Sequence, residues 1–239
     1  MIVFITFWIL TILTLTRQDV LKTSWQDWLL DITGLLFQGL VIPFLQITVV
    51  CQGYKLLFPH WENSINITAL AAFIFSFVFI DYLYYWNHRL LHSSWFWHLH
   101  KVHHTVTQRN VLGTSRNTLW TSFLIIYLWV HSLFIYLLID PTWYILGISL
   151  TSALDLWRHS EIEPKSNNLI ARFLSPWLIL PRDHAWHHSN NSKIGNYGAN
   201  FKFWDVIHRT NFSNYGPPQN LGIITQLTLT QKLFFPFSK

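Results

Sequence analysis

Tyr85-Trp-Asn-His-Arg-Leu-Leu-His-Ser-Ser-Trp-Phe-Trp-His-Leu-His-Lys-Val-His-His104 places five of its six histidines at helical spacing. His88 and His92 stand at i, i+4, and His100, His103 and His104 at i, i+3, i+4. Far along the chain, Pro181-Arg-Asp-His-Ala-Trp-His-His-Ser189 repeats the second spacing with His184, His187 and His188. Residues three and four apart share a helix face, so each cluster is expected to aim its imidazoles at one place. Imidazole is the commonest protein metal ligand, and no single ion accepts eight of them, so the clusters point to two metal ions. Packed together without metal, neutral imidazoles in apolar surroundings would leave nitrogens unpartnered, at a cost. Histidine tracts that bind metal loosely are low in complexity, whereas these clusters sit among Trp, Tyr, Leu and Val. His60, His98 and His208 stand apart and read as ordinary packed or solvated residues.

Working outward, the composition is that of a membrane protein. Of 239 residues, 51% are hydrophobic and 11% charged, and the mean hydropathy is +0.27. The 14 Trp suit the membrane–water boundary. The net charge of +5 comes without a Lys/Arg run, which excludes a nucleic-acid partner and fits basic residues facing an anionic leaflet. Cys51 stands alone, so there is no disulfide framework and no cysteine motif for an iron–sulfur cluster or haem.

Residues 67–86 form a span that runs directly into the first histidine cluster. Before it, residues 32–51 are apolar with a kink expected at Pro43, and residues 52–66 read as a loop. Residues 1–16 are short for a span, which takes about 20 residues, and form a first span or an interfacial anchor. Residues 17–31 are mixed, with Trp25 and Trp28 suited to the interface. After His104 the chain leaves the membrane over residues 105–118, crosses at 119–139 up to Asp140-Pro141, and returns at 143–156. Two crossings bring the late histidine cluster to the same face as the early ones. Lys101, Arg109, Arg116, Arg158, Lys165, Arg172 and Arg182 fall on that face, which makes it cytoplasmic by the positive-inside rule. Residues 169–180 are too interrupted to span and lie in the interface. The expected fold class is therefore all-α: one integral membrane domain, residues 1–239, of four to five transmembrane helices. A cytoplasmic, histidine-rich helical cap holds the dinuclear metal site.

Asp81 lies inside a span, where a carboxylate is functional by default. Asp81, Tyr85, His88 and His92 form one helical stripe, so Asp81 is expected to accept a hydrogen bond from a ligand's second nitrogen. His159 returns to the histidine face after the last span and becomes a ninth ligand, with Asp155 one turn earlier as its partner. His131, in mid-span, reads as an interhelical hydrogen-bonding residue. Asn196-Tyr-Gly198 reads as a tight turn and Phe203-Trp-Asp205 as an aromatic patch beneath it.

Asp81-x3-Tyr85-Trp-x-His88-Arg-x2-His92, His100-Lys-Val-His103-His104, Trp157-x-His159-Ser, His184-x2-His187-His188-Ser, Asn196-Tyr-Gly and Phe203-Trp-Asp together resemble the fatty acid hydroxylase / sterol desaturase superfamily. The resemblance covers residues 67–210, the expected catalytic region, in the family's order. It implies an integral-membrane non-haem di-iron enzyme that uses O2 on a lipid C–H bond. It also implies metal ligation, and hence the catalytic set, at His88, His92, His100, His103, His104, His159, His184, His187 and His188. Where the family usually ends this stretch in Phe-Gly-Thr, the chain has His208-Arg209-Thr210. An all-nitrogen ligand set leaves Fe, Zn and Cu open; the resemblance chooses two Fe ions with O2 as co-substrate. The implied substrate is a sterol, fatty-acyl or related lipid, with a carotenoid as the alternative. Hydroxylation and desaturation share the first hydrogen abstraction. These residues hold no haem motif, glycine fingerprint or cysteine cluster, so a separate electron donor is expected, a cytochrome or a ferredoxin with its reductase. The rival class is a histidine-rich membrane metal transporter or sensor. Its ligands should gather near the bilayer midplane on broken helices, where only His131 falls.

Overall fold

A computed structural model describes residues 1–15, 24–164, 167–190, 195–212, 216 and 218–234, and these are built from helices. The helices are α1 (Ile2–Leu15), α2 (Trp25–Leu57), α3 (Ala69–Leu91), α4 (Trp97–His100), α5 (Thr121–Leu124), α6 (Ile126–Leu137), α7 (Thr142–Arg158), α8 (Leu169–Leu174), α9 (Pro181–His187), α10 (Phe203–Ile207) and α11 (Leu229–Phe234). Among the described residues there is no β-strand, only isolated bridges such as Leu178 with Phe201. Lys165 of the expected basic face, the start of the mixed stretch 17–31, and the end of the chain from residue 235 lie outside the described residues.

Two helices, α2 and α3, are long and apolar enough to cross a bilayer, while α1 and α6 are apolar but shorter. Only 6% of the apolar stretch of α2 is buried within the protein. Leu36, Leu40, Phe44, Ile47 and Val49 stay exposed on it. A face of that size and apolarity needs apolar surroundings. α8 presents Leu169, Ile170 and Phe173 in the same way, with Trp177 just beyond it.

α2 is longer than the sequence suggests. It begins at the Ser24 cap, whose hydroxyl accepts from Asp27 N–H at 3.2 Å, and runs through the expected loop to Leu57. It stops at Phe58 because Pro59 follows, and the residue before proline is driven out of the helical region. Pro43 is absorbed between two π-turns, Phe37–Val41 and Gln46–Val50, the local adjustment that lets a proline-containing helix continue. The span expected over 119–139 is broken. Ile125 is extended, with φ −71° and ψ 125°, and separates α5 from α6. The side chain of Asn87 on α3 bridges the break, donating to Leu124 O at 3.0 Å and accepting from Ile126 N–H at 3.2 Å. Freed backbone groups in an apolar setting need such partners.

α7 packs against both α1 and α3. Ala72, Ile80, Leu138 and Tyr144 form one core, and Leu10, Val111 and Leu156 another. At the α3–α7 crossing a Cβ on Gly147 would lie 2.8 Å from Ser76 Oγ, so only glycine permits that approach. His131 joins α6 to α7 through Tyr144 OH at 2.9 Å, an interhelical bond.

Residues 105–118, expected to leave the membrane, are mostly buried within the protein. Arg116 is 3% exposed and forks onto Asp31 of α2, Nε to Oδ1 at 2.6 Å and Nη2 to Oδ2 at 2.9 Å. Its Nη1 reaches Asp27 at 3.1 Å and Thr105 O at 3.2 Å. Arg158 is likewise buried, on Asp155 at 2.9 Å. Two of the cations assigned to the basic face are thus internal. Removing one partner of a buried pair strands the other's charge, at about 3–5 kcal/mol, whereas replacing both is often neutral. Asp31→Ala should therefore lower the thermal midpoint more than Asp31→Ala/Arg116→Met in detergent-solubilised protein. Equal loss in the two variants would contradict this.

Candidate metal centre

The structure brings all nine histidines together and sorts them into two groups. His88, His92, His100, His104 and His187 form one, and His103, His159, His184 and His188 the other; within each, one nitrogen per ring lies within 4.8 Å of all the rest. The sorting cuts across the sequence clusters. His103 and His104 are neighbours, yet point to different groups, as do His187 and His188. Successive residues on a helix turn by about 100°, so i+3 and i+4 ligands diverge enough to serve two centres.

The nine histidines lie at the ends of the long helices α3 and α7 or on short elements packed beside them. His88 ends α3 and His92 caps it. His100 closes α4, and His103 and His104 sit in the 3-10 turn His103–Thr105 instead of a continued helix. His159 caps α7. His184 and His187 lie on α9, started by Pro181 and by Asp183, whose carboxylate accepts from Leu180 N–H at 3.0 Å, and His188 caps it.

The second ring nitrogens fix the tautomers. The Nδ1–H of His88 donates to Tyr197 O at 2.8 Å and that of His187 to Gly195 O at 2.7 Å. His103 donates to Arg116 O at 3.1 Å and His159 to Asp155 O at 2.9 Å. In these four rings Nε2 must therefore present a lone pair. The Nε2 atoms face one another: His88 and His100 at 3.1 Å, His92 and His187 at 3.2 Å, His92 and His104 at 3.2 Å. In the second group the spacings are 3.5 Å for His103–His159 and 3.0 Å for both His159–His184 and His184–His188. His103 and His159 have both committed their protons to carbonyls, so that contact sets lone pair against lone pair. A cation between them removes the conflict. Metal–imidazole bonds of about 2.1 Å place neighbouring ligand nitrogens about 3.0–3.4 Å apart, close to the 3.0–3.5 Å observed. The donor set thus fits a pair of metal ions.

Protonation does not offer another escape. Burial, reinforced by repulsion from His159, holds His103 down to about 3, and burial holds His187 down to about 4. His92, His100, His104, His184 and His188 are pushed below the ordinary imidazole range by burial first and by neighbouring imidazoles second. His159 is lowered by burial as well. Neutral rings keep their lone pairs free for metal.

The carboxylates act differently from the sequence expectation. Asp81 touches no imidazole. It accepts from Asn200 N–H at 2.7 Å, Phe201 N–H at 3.2 Å and Trp204 Nε1–H at 2.9 Å, tying α3 to the segment before α10. Asp155 does serve His159, chiefly through its backbone carbonyl; its carboxylate lies 3.6 Å from Nδ1. Asp205, read from the sequence as part of an aromatic patch, is fully buried. It accepts from Tyr197 N–H and Gly198 N–H, each at 2.8 Å, and from the Thr210 hydroxyl at 2.7 Å. It thereby holds the turn whose Tyr197 carbonyl orients His88. Asn196 sits at the left-handed φ of 57° that asparagine tolerates, and a Cβ on Gly195 would collide with Thr210 O. The carbonyl acceptors carry no sequence signal of their own; only the Asn196-Tyr-Gly turn marked their place. His208 stacks on Tyr82 and Tyr85 away from both groups, and His60 is exposed.

Comparison with known proteins agrees with this geometry. Residues 73–210, more than half of the chain, match the model of the fatty acid hydroxylase family. The chain is similar to alkylglycerol monooxygenase of Caenorhabditis elegans, 23% identical over 84% of this chain and 38% of that protein. The human alkylglycerol monooxygenase is 26% identical over 67% of this chain and 34% of its own length. An ornithine lipid hydroxylase of Rhizobium tropici is 30% identical over 63% of this chain and 44% of its own. The chain thus spans less than half the length of these relatives. No solved structure matches. With its histidine groups, their order and the match across residues 73–210, the chain belongs to the fatty acid hydroxylase family.

Proposed function

We propose that this chain is an integral-membrane non-haem di-iron oxygenase that uses O2 to hydroxylate or desaturate a C–H bond of a lipid. The observation that carries it is the convergence of nine neutral Nε2 atoms in two groups, five and four, with four of the rings fixed by backbone carbonyls. Family membership supports iron over zinc or copper, and relatives named as lipid monooxygenases and hydroxylases support a lipid substrate. Residues 1–239 act as one membrane domain of four to five crossings, with residues 67–210 as the catalytic region and the histidine groups on the cytoplasmic face. Electrons come from a separate donor.

When bound, the iron pair supplies the oxidising power for an unactivated C–H bond, which side chains lack. The protein's part is placement. His88, His92, His100, His104 and His187 would hold one ion, and His103, His159, His184 and His188 the other. The carbonyls of Tyr197, Gly195, Arg116 and Asp155 hold the ring protons on Nδ1 and keep Nε2 free. Burial of the groups excludes water from the reaction. The position at the ends of α3 and α7 lets a lipid reach the centre sideways from the bilayer.

Two measurements test this. Purified protein should contain about two iron ions per chain. His187→Ala should lose at least half of that iron and abolish lipid oxidation in expressing cells, while His60→Ala changes neither; one metal or none in active wild type would contradict the reading. For topology, Ser94 and Asn190 are exposed beside the first and last clusters. Cysteine placed at either, in a Cys51→Ala background, should be labelled from the cytoplasmic side alone. Labelling from opposite sides would rule out a shared centre.

A further inference from the structure

The end of α10 carries a residue that its backbone does not favour. Arg209 N–H donates to Val206 O at 3.2 Å and Thr210 N–H to Asp205 O at 2.8 Å, the paired bonds of a Schellman helix end. The motif holds Arg209 at φ 57°, in the left-handed region. Glycine enters that region freely and asparagine tolerates it. Among the described residues, the other positive-φ positions are Asn63, Asn196, Gly216 and Gly222, all of these two types. An outlier of this kind points to a role for its side chain.

Nothing inside the protein supplies that role. Arg209 is exposed, and among the described residues its guanidinium has no hydrogen-bonding or ion-pair partner. Its surroundings are apolar and aromatic. Val206 and Ile207, just before it, are exposed, and His208 lies against the Trp86 ring with centres 4.8 Å apart. A second exposed arginine, Arg89 of α3, sets its guanidinium 5.3 Å from the centre of the same Trp86 ring. Two arginines thus border the Trp86–His208 contact where α10 meets the end of α3. No carboxylate answers them. Asp81 and Asp205, the acidic residues of α3 and α10, are buried and accept from backbone N–H groups. Nearby Lys202 is already paired with Asp183 at 2.6 Å.

The position identifies what meets this surface. Trp86 and Leu90 are exposed where α3, an apolar helix of spanning length, comes to its end. Tryptophan and arginine at such a place anchor a span at headgroup level. α8 and Trp177, whose exposed side chains need apolar surroundings, are tied to the start of α10 by Lys202 N–H donating to Trp177 O at 2.8 Å. One lipid leaflet satisfies all of these groups together: acyl chains against Val206, Ile207 and Trp86, and phosphate against the two guanidiniums.

We propose that Arg89 and Arg209 form a binding site for the headgroup phosphate of an anionic phospholipid, at the membrane surface between the ends of α3 and α10. Two cations without a counter-charge select a headgroup of net negative charge over a zwitterionic one. The site rests on the chain being seated in a bilayer and is independent of the iron reading.

The test is native mass spectrometry of the purified, delipidated chain in detergent, titrated with phosphatidylglycerol or phosphatidylcholine. Wild type should bind phosphatidylglycerol more tightly. Arg209→Gly suits the backbone and removes the guanidinium. It and Arg89→Gln should each weaken phosphatidylglycerol binding roughly fivefold and leave phosphatidylcholine unchanged, while Arg209→Lys keeps most of the preference. In phosphatidylcholine nanodiscs the thermal midpoint of Arg209→Gly should equal or exceed that of wild type, because glycine is at ease at this φ. Four results would each overturn the proposal. A lowered midpoint would assign Arg209 to the fold, and equal phosphatidylglycerol affinity in wild type, Arg209→Gly and Arg89→Gln would remove the site. Displacement of the lipid by inorganic phosphate at matched ionic strength would make it a free-phosphate site. Tighter binding of a soluble polyglutamate peptide than of phosphatidylglycerol would make it a protein-docking surface.

Discussion

Nine imidazole Nε2 atoms that converge in a buried interior, four of them fixed as lone pairs by backbone carbonyls, are the constraint on which the rest of this molecule depends. Each is held by a neutral ring, kept neutral by burial and by its neighbours. The His103–His159 contact shows the difficulty most plainly, since both rings have given their protons to carbonyls and still face each other. A cation bound there, as proposed, would relieve that conflict and join α3, α4, α7 and α9 at a single point, so its binding energy would also stabilise the fold.

The polar frame around the centre serves the same end. Arg116 illustrates it: its guanidinium is locked by Asp31 and Asp27 of α2, so its carbonyl is fixed where His103 needs an acceptor. Asp205 holds the turn that offers Tyr197 O to His88. Asp81 ties the residues after that turn back to α3. Buried polar networks are costly unless complete; here Asp81 and Asp205 accept mainly from backbone and tryptophan N–H groups, and four of the nine imidazoles are held by carbonyls.

The convergence of the nine histidines was legible because the clusters repeat helical spacing among otherwise apolar residues. Their sorting into two groups was not, because spacing treats i+3 and i+4 as one face while the chain uses the angle between them. Asp81 was misassigned for a related reason: a stripe along one helix says nothing of what packs against it, and Asn200 and Trp204 reach the carboxylate first. The apolar run 119–139 concealed the break at Ile125, since the remedy is the Asn87 side chain on another helix. Likewise only Gly53 disfavours a helix between residues 52 and 57, too little to stop α2 before Pro59 does.

X-ray absorption spectroscopy of the iron-loaded protein in detergent reads the ligand sphere directly. Four or five nitrogen-type scatterers per iron at about 2.1 Å, with the outer-shell pattern of several imidazole rings and no sulfur, is the spectrum these two histidine groups require. A shell dominated by water or carboxylate oxygen without imidazole features, or one containing sulfur, would show that the converging nitrogens do not hold the metal.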